Sequence, residues 1–331
     1  MEYRPFGQTG LEVSAIGFGC WEIGGGYGSV EETEFARAIG RALDLGINCF
    51  DTAEGYGFGA SESALGRALG RRREDAIVVT KFGMAYRDMP NMRDSSRERV
   101  LASIDKSLKH LGTDYVDVYL IHWPDRRVPF EETMSALDDI VREGKVRFVG
   151  VSNFTRDEIE ACMRTRRVDV VQYGWNMFDR RMALDVFPYC QEQGIGTMAY
   201  GSLAYGLLTG TFTEDMEFSA DDWRARQGNM GSIKLFETLF GPEHFPNNIR
   251  AVAELKGIAA RQGRSLAQLA LRWTTSNPVI STALVAPGGA FGLLRQGTPP
   301  VTLPLVTAHR HWKPLAVGRR LVLRSADTSV S

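Results

Sequence analysis

Long hydrophobic runs are missing from this 331-residue chain: no apolar stretch approaches the length of a membrane-spanning helix, and no membrane partner is expected. The N-terminus, Met1-Glu2-Tyr3-Arg4-Pro5, has no basic region followed by an apolar stretch, so a signal peptide is not expected either. Net charge is almost absent, 39 basic against 40 acidic side chains, which argues against a nucleic-acid partner. Cysteine is scarce. Cys20, Cys49, Cys162 and Cys190 are scattered through apolar patterns and read as small buried hydrophobes rather than disulfide partners or metal ligands. No His, Cys or carboxylate pair has ligand spacing, so no metal is expected. A phosphate fingerprint is lacking too: Gly24-Gly25-Gly26 has neither the G-x-G-x-x-G spacing nor a following Lys-Ser/Thr, and reads as a flexible turn. A cytoplasmic protein is the expectation these absences leave.

What is present is a regular alternation. Gly7-Gln8-Thr9-Gly10 separates two short segments as a hairpin turn would. Apolar runs then recur at Ala15–Gly17, Asn48–Phe50, Ala76–Thr80, Val116–Ile121, Val146–Val151, Val170–Val171, Ile195–Ala199 and Val279–Val285. Between them lie helical patterns. The first, about Glu31 to Leu45, places Phe35, Ile39 and Leu43 four apart on one face. Capping boxes are expected at Ser29–Glu32, Ser95–Glu98 and Thr155–Glu158. Strand runs that are apolar throughout, alternating with helices, describe a parallel sheet covered by helices. Eight such units predict an α/β protein, a (β/α)8 TIM barrel with an N-terminal β-hairpin; an open doubly wound sheet is the alternative.

In such a barrel the site lies where the strands end. The polar residues just after the apolar runs are Asp51 with Tyr56 in the following loop, Lys81, His122, Ser152-Asn153, Gln172 and Tyr200. Singly, each has a structural reading: a strand-end Asp caps loops, and a lone His is most often a satisfied core residue. Together the first four make chemical sense. Adding hydride to a carbonyl leaves negative charge on oxygen, which requires a proton donor aimed at it. A tyrosine is a weak acid until a buried ammonium stabilises its phenolate, and that ammonium needs a counter-charge. Tyr56, Lys81 and Asp51 supply these parts, and His122 supplies a hydrogen bond to orient the carbonyl.

Three segments, Asp51-Thr52-Ala53-Glu54-Gly55-Tyr56-Gly57, Thr80-Lys81-Phe82 and Ile121-His122-Trp123-Pro124-Asp125, resemble the catalytic segments of the aldo-keto reductase family, including its branch related to potassium-channel β subunits. The similarity continues through Gly150-Val151-Ser152-Asn153-Phe154, Val171-Gln172-Tyr173 and Gly206-Leu207-Leu208-Thr209-Gly210. The resemblance implies an NADP(H)-dependent reductase of aldehydes or ketones, with NAD(H) still open. It implies Tyr56 as general acid, Lys81 and Asp51 as its activating pair, and His122 as the orienting residue. It further implies that Ser152, Asn153 and Gln172 hold the nicotinamide carboxamide, that Tyr200 stacks on the ring, and that the backbone at Ser202 and Leu203 faces the pyrophosphate. Trp21 and Trp123, with Tyr205, suggest an aromatic wall for a small carbonyl substrate. The insertion from about Thr211 to Asn248 is expected to fold over the rim. The alternative function is a nicotinamide-binding regulatory module of the same fold with little turnover.

The pattern breaks after Val285. Residues 1–285 carry 33 basic and 39 acidic side chains, whereas 286–331 carry six basic, one acidic, five prolines and five glycines, with no helical stripe. We therefore expect a barrel domain at 1–285 and an atypical basic tail at 286–331, with the eighth helix missing or altered. Deleting one G from codons for Val-Gly-Ala-Arg yields Val285-Ala286-Pro287-Gly288, so a frameshift is one origin; a genuine basic tail that binds an acidic partner is the other.

Overall fold

In a computed structural model the chain is described at residues 1–24, 31–84, 93–219, 222–226 and 234–286. The tail beyond Ala286, and with it the question of the eighth helix, lies outside these residues. The hairpin pairs β1 (Tyr3–Pro5) with β2 (Glu12–Ser14) in antiparallel fashion. Eight parallel strands then close a barrel: β3 (Ile16–Gly19), β4 (Cys49–Asp51), β5 (Ile77–Phe82), β6 (Val116–Ile121), β7 (Val146–Ser152), β8 (Val170–Gly174), β9 (Gly196–Tyr200) and β10 (Ile280–Val285), with β10 bonded to both β3 and β9. The open sheet is thereby excluded.

Helices α1 (Glu32–Asp44), α2 (Ala60–Leu69), α3 (Arg97–Leu111), α4 (Phe130–Arg142), α5 (Arg156–Met163) and α6 (Val186–Gln193) follow β3 to β8 in turn. Their starts test the cap assignments. Thr155 caps α5 through a complete box with Glu158, as its spacing predicts. At α3 the cap is Ser96, which accepts from Arg99 N, one residue later than expected. The reason is that Ser95 is buried, where Thr133 Oγ1 donates to its carbonyl and lies 3.2 Å from its hydroxyl. At α1 the cap position is Glu31, with no side-chain cap bond; Ser29 falls outside the described residues.

Period-two alternation decides what faces inward. Val79 joins Val118, Leu120, Val170 and Met198 in the interior, where Phe6 and Val13 of the hairpin join them. Ser281 Oγ on β10 donates to Pro5 O, and Gly196, the first residue of β9, lies against Phe6, so the hairpin plugs the N-terminal mouth. Val78, Phe82 and Tyr119 face outward into the helical layer, with the Phe82 and Tyr119 rings stacked at 5.0 Å. Lys81 follows Val79 on the inward face, which is why a lysine ends inside the barrel.

The strands approach closely at β7. A Cβ on Gly150 would lie 2.0 Å from Val170 O and 2.7 Å from a Leu120 methyl. Gly150→Ala is expected to cost about 1–3 kcal/mol through overpacking. Denaturant titration checks this, and an unchanged midpoint would mean that β7 and β8 separate freely.

After β9 the chain makes a short helical turn, Ala204–Thr209, and later α7 (Lys234–Phe240), α8 (Phe245–Arg261) and α9 (Leu266–Ser276) before returning to β10. These segments form a second apolar cluster, including Leu207, Trp223, Phe236, Phe240 and Leu269. The insertion thus shares a core with the turn after β9 and with α8 and α9.

Candidate active site

Lys81 is fully buried, and its ammonium donates three hydrogen bonds: to Asp51 Oδ2 at 2.7 Å, to Thr52 O at 2.8 Å and to the Tyr56 hydroxyl at 3.1 Å. Every N–H of the group is therefore spent in place, satisfying the requirement for a buried charge. Asp51 ends β4 opposite Val79 of β5, and Lys81 stands two residues further along β5 on the same inward face, so its ammonium reaches back to the carboxylate. The loop between them holds Tyr56 by long-range ties that its sequence does not advertise. Glu54 N donates to Lys81 O, and Glu54 Oε1 accepts from Gly83 N at 2.7 Å and Arg99 Nη2 at 2.8 Å. Thr52 Oγ1 meets Ser61 Oγ at 2.9 Å, and Ser61 in turn donates to Cys20 O.

The electrostatics differ from the expectation in one respect. Burial pushes the Tyr56 phenol above its ordinary range, more than the Lys81 ammonium pulls it down. Tyr56 is thus a protonated acid at neutral pH, eased by Lys81 only in relative terms. Burial also pushes the Asp51 carboxyl up, while Lys81 and Gln172 pull it back. Lys81 suffers the cost of burial, but Asp51 and Tyr56 leave it above its usual value, so it keeps its proton.

His122 follows β6, its backbone N–H bonded to Phe82 O, with its ring edge-on to Tyr56 at 5.7 Å. Burial, then Lys81 and Arg93, hold its imidazole well below the ordinary value, and Nδ1 has no partner among the described residues. A neutral ring that donates from one nitrogen is the state these surroundings favour. We expect the His122 ring resonances, assigned by their loss in His122→Asn, to stay fixed between about pH 6 and 8. Titration in that window would mean the site admits a charged imidazole.

Across the barrel, the ends of β7, β8 and β9 form a hydrogen-bonded frame. Ser152 Oγ donates to Gln172 O, and Asn153 Nδ2 donates to Ser152 Oγ and His122 O. Tyr200 donates to Asn153 Oδ1 at 2.8 Å, and Gln172 Nε2 donates to Asp51 Oδ1 at 2.7 Å. Asn153 adopts a positive φ of 65° to fit this frame. Its amide is already engaged with protein on both sides. The next turn is strained as well: Ala204 and Tyr205 have φ of 47° and 55°, values that non-glycine residues rarely hold without a functional reason.

Ser152, Asn153, Gln172, Tyr200, Ser202 and Leu203 line one cavity of about 820 Å³ with Asp51, Tyr56 and His122. Trp21 and Trp123 line it too. Trp21 lies 6.5 Å from the Tyr56 ring, stacks on Trp223 at 6.2 Å and meets Tyr205 edge-on. Phe236 from the insertion lines the cavity as well, with Trp223 packed against Trp21, Tyr205 and Phe236, and Arg224 is clamped to Asp222 and Tyr205 O while lying over the Phe212 and Phe218 rings. The individual residues Trp223, Phe236, Arg224, Glu54 and Arg99 escaped the reading of strand ends. The aromatic density of the insertion was the only local signal for the first two.

A sequence profile of the Aldo/keto reductase family matches residues 15–308, reaching past Val285 into the tail. The chain is 37% identical over 288 residues to the aldo-keto reductase YhdN of Bacillus subtilis, covering 86% of this chain and 84% of that one. It is 31% identical to the NADH-specific methylglyoxal reductase of Escherichia coli, over 82% of this chain and 85% of the relative. Among solved structures, the glycerol dehydrogenase of Gluconobacter oxydans superposes with a TM-score of 0.76 at 31% identity, covering 92% of this chain and 93% of that one.

Proposed function

The chain belongs to the aldo/keto reductase family of oxidoreductases, and from that premise we propose that it reduces small aldehydes or ketones to alcohols with NADP(H), using Tyr56 as the general acid. The observation that carries this reading is the Asp51–Lys81–Tyr56 chain of hydrogen bonds opening beside His122 into one cavity.

That cavity suits a nicotinamide dinucleotide in size, about 820 Å³, with the polar side chains of Ser152, Asn153 and Gln172 held in place by their own bonds at one end and the positive-φ turn at Ala204 and Tyr205 further along. In this proposal Ser152, Asn153 and Gln172 grip the carboxamide, Tyr200 presents its ring to the nicotinamide, and the backbone at Ser202 and Leu203 faces the pyrophosphate. When bound, the nicotinamide supplies the hydride that converts the carbonyl carbon to an alcohol carbon. The protein handles the proton. Tyr56 O–H donates to the carbonyl oxygen as charge develops there; Lys81 stabilises the phenolate left behind, and Asp51 keeps Lys81 in place. His122 donates a hydrogen bond to the same oxygen and holds it in line. Solvent returns the proton to Tyr56. Trp21, Trp123, Tyr205 and Phe236 bury the rest of the substrate and favour apolar carbonyl compounds.

The proposal includes a cytoplasmic location and a domain boundary at Val285, where β10 ends. The test is to follow oxidation of NADPH, and separately NADH, with an activated aromatic aldehyde. Turnover with a higher kcat/KM for NADPH is expected. Preference for NADH would overturn the NADP(H) assignment alone, and no turnover with either would favour a regulatory module.

A further inference from the structure

Gln172 and Asp51 stand on opposite walls of the barrel: β8 and β4 have three strands between them in either direction around the ring. The two side chains nonetheless meet across the C-terminal mouth, Gln172 Nε2 donating to Asp51 Oδ1 at 2.7 Å. The other oxygen of that carboxylate accepts from Lys81 at 2.7 Å, and the same ammonium donates to the Tyr56 hydroxyl at 3.1 Å. Both residues are buried, Gln172 at 3% exposure and Asp51 at 4%. A carboxylate held by one oxygen alone can turn about its last torsion; one held from opposite sides has its plane set.

We propose that Gln172 is a positioning residue for the proton donor, holding Asp51, and through Asp51 and Lys81 the hydroxyl of Tyr56, from the far wall of the barrel. The carbonamide performs a second service. As a donor to the ionised form it opposes the desolvation that favours protonation of a buried carboxyl. Gln172 also lines the cavity beside Ser152 and Asn153. Seating a ligand against its amide therefore bears directly on the alignment of the proton relay, so that occupancy and acid strength are linked through one side chain. This last consequence rests on the reading of the chain as a nicotinamide-dependent reductase; the tie between Gln172 and Asp51 does not.

The test uses Gln172→Met, which keeps the volume and removes the donor. In the ligand-free protein, infrared spectra across pH follow the carbonyl stretch of the protonated Asp51 carboxyl, assigned by its absence in Asp51→Asn. The band is expected to appear at higher pH in Gln172→Met than in the unaltered chain. In the enzyme at saturating cofactor, kcat is expected to fall about tenfold or more, with the acid limb of its pH profile displaced upward. A rise in the KM for cofactor with the band and the acid limb unmoved would overturn the proposal and leave Gln172 a cofactor ligand only. Should Gln172→Met fail to fold, Gln172→Glu, of the same size, sets a second carboxylate against Asp51, and the acid limb must again move to higher pH. If the unaltered chain shows no turnover but the band moves, the reductase reading fails and the positioning role stands.

Discussion

Replacing Tyr56 with Phe is expected to lower kcat for aldehyde reduction by about 10²–10⁴-fold while leaving cofactor affinity nearly unchanged. The reasoning is geometric. The hydroxyl is the one atom removed, and it sits 3.1 Å from the Lys81 ammonium with the ring edge-on to His122. The ring itself, which packs against Trp21, survives the substitution. No member of the Ser152, Asn153 and Gln172 frame bonds to Tyr56 directly, and the Asp51–Lys81 link to Gln172 stays in place, so binding of the nicotinamide should change little. Steady-state rates beside a fluorescence titration with NADPH check both halves. A variant that keeps a tenth or more of the activity would show that another group or water delivers the proton.

The second large effect concerns stability. Lys81 and Asp51 are a buried ion pair, at 0% and 5% side-chain exposure. Breaking such a pair from one side leaves an uncompensated buried charge, which costs about 3–5 kcal/mol. Lys81→Met strands the Asp51 carboxylate beside Gln172, and Asp51→Asn leaves the ammonium with neutral acceptors alone and no counter-charge. Each single variant is expected to lose folding free energy in that range along with activity. Combining the two removes both charges, and a large part of the loss should return because neither partner is left unpaired. Urea unfolding of the four proteins measures this coupling. Additive losses would mean the pair is not interacting in the folded state. Activity, by contrast, should stay absent in the double variant, which separates the structural from the chemical role of the pair.

The expected and observed architectures differ mainly at the edges of elements. Strand β5 runs on to Phe82 and β8 to Gly174, beyond the apolar runs that announced them. The extra residues include the polar Lys81 and Gln172, which bury without breaking the ladder because partners await them. Ser96 rather than Ser95 caps α3 because Thr133, 38 residues away, lies against Ser95. The net acidity of Tyr56 depends on the fold for a related reason. Lys81 is where the chemistry requires it, but the low polarity around the hydroxyl is a property of the closed barrel and of Trp21, absent from the local sequence.

Sequence alone determined the eightfold alternation of apolar runs and helices, and with it a helix-covered parallel sheet; the bonding of β10 to both β3 and β9 decided that the sheet closes. It also determined which side-chain types stand at the strand ends, because period-two alternation and strand termination are local properties read within a few residues. Only the tertiary structure decided who bonds to whom. Asp51 is shared between Lys81 and Gln172, Asn153 between His122 and Tyr200, and Glu54 between Gly83 and Arg99. Each such choice depends on how the sheet closes and how far opposite walls stand apart. Those distances are set by the packing of the whole barrel, and no spacing along the chain encodes them.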